Sequence, residues 1–104
     1  SVKVSEDYTI GVLYARQKLE QAFFAEKPED AAGSGAIEDT QYTWEAEVLP
    51  YSLGEEGDDR YAAVVTYLLK VRVKWPGFMQ EKSVELTTLR TVPAVNPLAF
   101  EERG

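Results

Sequence analysis

Apolar residues recur along the first quarter of the chain at the spacing of a helix. In SEDYTIGVLYARQKLEQAFFA, Tyr8, Val12, Ala15, Leu19, Ala22 and Phe23 follow one another in steps of four, three, four, three and one. That is the helical period and not the strand period of two. The spacing predicts one amphipathic helix over 5–27, roughly 35 Å long at 1.5 Å per residue. Pro28 ends it, because its ring clashes with a preceding carbonyl and its nitrogen carries no proton. Two readings of the start are open. Either Ser5 is an N-cap with Glu6 and Asp7 in the first turn, where the macrodipole favours acids, or the helix runs on upstream through Val2 and Val4. A second apolar group, Ile10, Leu13, Tyr14 and Phe24, falls nearly opposite the first. One sheet cannot cover both sides of a helix. Either the tail around Leu98 and Phe100 folds back over the second group, or another protein covers it.

The pattern then changes period. In residues 40–50, TQYTWEAEVLP, Tyr42, Trp44, Ala46 and Val48 point one way while Thr43, Glu45 and Glu47 point the other, as in a strand with one wet face. Residues 61–75 form a long extended run, expected to bend or split near Thr66. In its second half Leu69, Val71, Val73 and Trp75 face the core, and Lys70, Arg72 and Lys74 face water. Trp75-Pro76-Gly77-Phe78 predicts a type II turn, with Pro second and Gly third. Residues 82–92, KSVELTTLRTV, are the return strand, and 93–104 an extended tail in which Pro93 and Pro97 bar helix. Between helix and strands, 29–35 (EDAAGSG) reads as a flexible linker, and 52–60 (SLGEEGDDR) as an acidic loop. A sheet with one apolar face needs a lid, and the helix is the one available. The expectation is a single α+β domain over 1–104, a long N-terminal helix on a three- to four-stranded antiparallel sheet. Trp44, Trp75 and Phe23 are expected to dominate the core. Lys70, Arg72 and Lys74 are placed to meet Glu45, Glu47 or Glu85 across strands, pairs that contribute little energy but oppose a wrong register.

Charge and composition narrow the function classes. With 11 basic and 18 acidic residues the net charge is −7. A nucleic-acid partner needs a basic footprint that is missing, and an acidic membrane surface repels the chain. There is no cysteine and no histidine, which removes disulfides, thiolate metal sites, the commonest general base and the usual zinc ligand together. No apolar run approaches the roughly 20 residues of a membrane span. The chain opens on Ser1 and not Met, the expectation for a processed or truncated piece of something longer.

Candidate chemistry is sparse. Glu55, Glu56, Asp58 and Asp59 suggest calcium, but their spacing is not that of an EF-hand loop, and solvated surface loops are often acidic. Glu45 and Glu47 share a strand face, yet they lie beside lysines in water, where a raised pKa is not expected. Ser52, Ser83 and Thr88 have no histidine to activate them. Gly33-Ser34-Gly35 is too short for a phosphate cradle. The residues point to no catalytic, cofactor or metal site, and no enzymatic activity is expected.

Taken in order, the helix GVLYARQKLEQA, a Gly/Ser loop, the aromatic strand YTWEAEV and then LLKVRVKWPG…KSVELTTLRT resemble the periplasmic part of a minor pseudopilin of type II secretion. The resemblance covers about 10–92 and rests on the order of the elements. It implies a pilin-like fold and a non-enzymatic structural subunit. It also implies an inner-membrane anchor, preceding the present sequence, that holds this domain in the periplasm. The partners it implies are two other minor pseudopilins, proteins J and K, met at the tip of the pseudopilus through the helix. Carried onto this chain, that surface is Ile10, Leu13, Tyr14, Gln17 and Phe24. The acidic loop 54–59 matches no motif of the family. A minor pilin of a type IV pilus shares the leader, the helix and much of the pattern. A secreted cystatin-like binding or inhibitor module also wraps a sheet around a helix, and it calls for a helix start near Ser5.

Overall fold

The computed structural model describes residues 2–51 and 64–93. One helix, α1 (Val2–Phe24), leads through a short 3-10 turn, Pro28–Ala31, into four strands, β1 (Gly33–Ala36), β2 (Thr43–Pro50), β3 (Val64–Pro76) and β4 (Glu81–Pro93). The strands form one antiparallel sheet in the order β1-β2-β3-β4, and the helix lies across one face of it. This is the expected α+β arrangement.

The helix starts and stops earlier than its pattern suggests. Residues from Val2 onward are already helical, so Ser5 is interior to α1 and not its cap. At the other end Phe24 is the last helical residue. Pro28 acts from a distance here: it holds Lys27 extended, at φ −118° and ψ 126°, as a residue before proline must be. The backbone therefore leaves the helix before it reaches the proline. Arg90 from β4 donates to the carbonyl oxygen of Ala22 at 3.1 Å, placing a cation on the last-turn carbonyls where the macrodipole is negative.

The residues 29–35 are not a free linker. They hold most of the 3-10 turn, whose first residue Pro28 is buried, and most of a fourth strand. β1 pairs with β2 so that Gly35 lies opposite Trp44. A Cβ at Gly35 would lie 3.1 Å from the Trp44 indole nitrogen, so the bareness of this segment lets it cross the ring. Lys18 of α1 places its ammonium 4.6 Å from the centre of the Trp44 ring, a cation–π contact. β2 begins at Thr43, because 37–42 form a turn with Asp39 in the left-handed region at φ 63°.

β3 is neither bent nor split at Thr66. Its pairing with β4 runs unbroken from Val64↔Pro93 to Pro76↔Glu81. The Thr66 and Thr91 hydroxyls lie 3.0 Å apart across the strands. The expected type II turn also fails to form. Pro76 is still paired with Glu81, and the chain reverses over Gly77–Gln80 with the Gly77 amide donating to the Gln80 carbonyl at 3.0 Å. Gly77 does not adopt positive φ. Its lack of a side chain serves contact instead, since a Cβ would sit 2.5 Å from the Gln80 carbonyl oxygen and 2.8 Å from the Lys82 stem.

Leu69, Val71, Val73 and Trp75 are fully buried, as the alternation requires. The helix meets them with small residues: Gly11, Ala15 and Ala22 are its buried positions. Phe23, expected in the core, is 37% exposed and stacks edge-on against Phe24. Trp44 is half-buried at the rim of the core. Trp75 is the centre. A Cβ on Gly11 would fall 2.6 Å from its ring, Tyr8 meets it edge-on at 5.1 Å, and Tyr42 lies tilted against it at 5.2 Å.

On the wet face the charges pair as their register allows. Lys74 reaches Glu45 at 3.0 Å, Arg72 reaches Glu85 at 2.9 Å and Lys70 approaches Glu47 at 3.9 Å. Exposed pairs of this kind contribute about 0.2–1 kcal/mol each and serve register more than stability.

Helix propensity alone favours Gly11→Ala by about 1 kcal/mol. The ring of Trp75 reverses the sign, because overpacking costs about 1–3 kcal/mol. Gly11→Ala should therefore lower the urea midpoint with an unchanged slope. A raised midpoint would mean that helix and ring are not in close contact.

Candidate interaction surface on the helix

Three side chains of the second apolar group point away from the sheet. Leu13 is 56% exposed, Phe24 77% and Ile10 38%, and Gln17, also exposed, stands among them. Ile10, Leu13, Gln17 and Phe24 are spaced by three, four and seven residues, so they share one stripe of α1. The described chain places nothing over this stripe. The tail around Leu98 and Phe100, the intramolecular candidate to cover it, lies outside the described residues.

Tyr14 does not belong with them. Its ring is half-buried and meets Tyr42 edge-on at 5.2 Å, against the core. Tyr14 is one-sixth of a turn from the small buried face, close enough for its long side chain to reach the sheet. Tyr42 in turn donates from its hydroxyl to the carbonyl oxygen of Asp7 at 3.1 Å. Tyr14 thus borders the outward stripe and belongs to the core.

Two features escaped the periodicity argument. Val2, 76% exposed, continues the outward stripe upstream and helps line a shallow depression with Glu6, Thr9 and Ile10. The same period that placed Ile10 and Leu13 finds it once α1 is extended to Val2. The second is the turn between β3 and β4, where Phe78 is 97% exposed and Met79 83%. Two adjacent large apolar residues inside a turn were the available signal.

Among the described residues no group of three or more acidic side chains could hold a metal ion. The acidic loop with Glu55, Glu56, Asp58 and Asp59 lies outside the described residues. The Glu45 carboxyl is held below the usual range, first by the hydrogen bond from Lys74 and then by that ammonium's charge, opposite to what a general acid needs. No helix among the described residues is long and apolar enough to cross a membrane. Comparison with protein-family models, with curated proteins and with solved structures gave no match.

Tyr42 carries a pH prediction. Burial pushes its phenol above the ordinary value of 10.0, and the nearby Asp7 carboxylate adds to the rise against a smaller opposing effect of Lys3. The folded state then keeps its proton where the unfolded chain has lost it, so this contribution is whole below about pH 10 and is lost as pH rises through the folded value. Urea midpoints measured from pH 8 to 11 should fall at the alkaline end, and less steeply in Tyr42→Phe. That variant should also lose about 0.5–1.5 kcal/mol at pH 7 with the bond to Asp7.

Proposed function

We propose that this chain is the periplasmic domain of a minor pseudopilin of type II secretion, of the protein I kind. In this reading it is a non-enzymatic subunit that joins two other minor pseudopilins, proteins J and K, at the pseudopilus tip. A hydrophobic segment continuing the helix upstream would anchor it in the inner membrane. One observation carries the reading. The helix is glued to its own sheet by small residues, while Ile10, Leu13 and Phe24 stand outward on the other side of the same rod. A helix built this way is suited to lie against a neighbouring helix, with the apolar stripe as the seam and Gln17 within it. The helix-then-meander order is also the plan that the resemblance implies. A type IV minor pilin would use the same stripe in the same way.

The test is a complex by size. The domain is mixed with the periplasmic domains of candidate J and K proteins and run through a sizing column. A joint peak is expected with the natural chain and its loss with Leu13→Asp. Leu13→Asp lies on an exposed helix face, so its urea midpoint should stay within about 0.5 kcal/mol of the natural chain. If Leu13→Asp unfolds the domain, the stripe is internal core. If it binds undiminished, the stripe is not the partner surface.

A further inference from the structure

The β3–β4 turn ends in the two most exposed large apolar side chains among the described residues, Phe78 and Met79. They do not stand alone. A groove of about 700 Å³ runs behind them, with Val4 and Tyr8 of the first turns of α1 on one wall and Trp75 and Pro76 on the other. The turn and the N-terminal end of the helix therefore form one end of the molecule. The opposite end carries the last helical turn, where Arg90 meets Ala22.

We propose that this end is a membrane contact, with Phe78 and Met79 dipping into the acyl region of a bilayer surface. The inference rests on the reading above, in which the helix leads upstream into a membrane anchor. In that case the end bearing Phe78 and Met79 faces the bilayer. The chemistry of the end favours lipid over a protein partner. A stable protein interface takes roughly 800 Å² from each side. Phe78 and Met79, even with the partly exposed Val4 and Tyr8 behind them, fall short of that, since a whole aromatic side chain supplies only about 150–250 Å². A bilayer accepts single apolar side chains, and its interface collects Trp, Tyr and the long stems of Lys. Tyr8, 37% exposed, lines the groove, and Lys82 crosses Gly77 with its stem and makes no ion pair with any described residue. The net charge of −7 gives no attraction to acidic lipid, so the contact depends on apolar insertion and on the chain being held at the surface.

The absence of cysteine makes the test direct. Gln80→Cys, labelled with an environment-sensitive nitrobenzoxadiazole probe, reports on the turn, and Gln21→Cys reports on the far end. The whole chain is tethered by an N-terminal hexahistidine to phosphatidylcholine vesicles containing a nickel-chelating lipid. A several-fold rise in emission is expected at position 80, quenched by brominated acyl chains and lost in Phe78→Ser with Met79→Ser. Position 21 should stay aqueous. An aqueous probe at position 80, or a signal that survives the double serine variant, overturns the proposal. The tether supplies attachment whatever precedes the natural chain. Failure here therefore leaves the helix complex standing, and failure of that complex leaves this contact standing.

Discussion

The close approach of Gly11 to the ring of Trp75 sets the rest of the structure. A helix comes that near to a sheet only where its own side chains are absent or small, and Gly11, Ala15 and Ala22 meet that condition. The sheet supplies the volume in return, with Trp75, Leu69, Val71 and Val73 filling the space beneath. Around that contact the aromatics interlock: Tyr8 and Tyr42 on Trp75, and Tyr14 on Tyr42. The bond from Tyr42 to the Asp7 carbonyl ties the first half of the helix to the start of β2.

This arrangement explains why large apolar residues stand outward. With the inner face given to small residues, Ile10, Leu13 and Phe24 have no place against the sheet. Such a helix carries apolar bulk on the side away from its own core as well as at the core's edge, where Tyr8, Tyr14 and Leu19 pack. A surface of that kind is costly in an isolated domain and useful in an assembled one. The same logic bears on the turn, where Phe78 and Met79 extend beyond the sheet that their strands build.

Strand alternation was legible because period two is unambiguous: Leu69 to Trp75 and their charged neighbours fall on the faces their pattern assigns. The helix was legible in existence and less so in orientation. Counting apolar residues gives weight to Phe23 and none to Gly11, yet close approach rewards the opposite choice. β1 was invisible because Gly33-Ser34-Gly35 has the composition of a linker, and its role depends on Trp44, a residue distant in sequence that it crosses. The turn was misplaced by two residues because Pro76 satisfies an edge of the ladder as well as a turn. Of the outward stripe, Ile10, Leu13 and Phe24 followed from spacing, and Gln17 from the resemblance. Tyr14 did not, because the length of its side chain lets it reach round to Tyr42.

We propose that one rod serves both its own sheet, by the small face, and a neighbouring subunit, by the large one. The most direct measurement is an amide and methyl chemical-shift map of the isotopically labelled domain as unlabelled J or K domain is added. The account predicts perturbation concentrated at Ile10, Leu13, Gln17 and Phe24, with Val71, Val73 and Trp75 unmoved. Perturbation centred on β4 or the wet face of the sheet, with the helix silent, would contradict it.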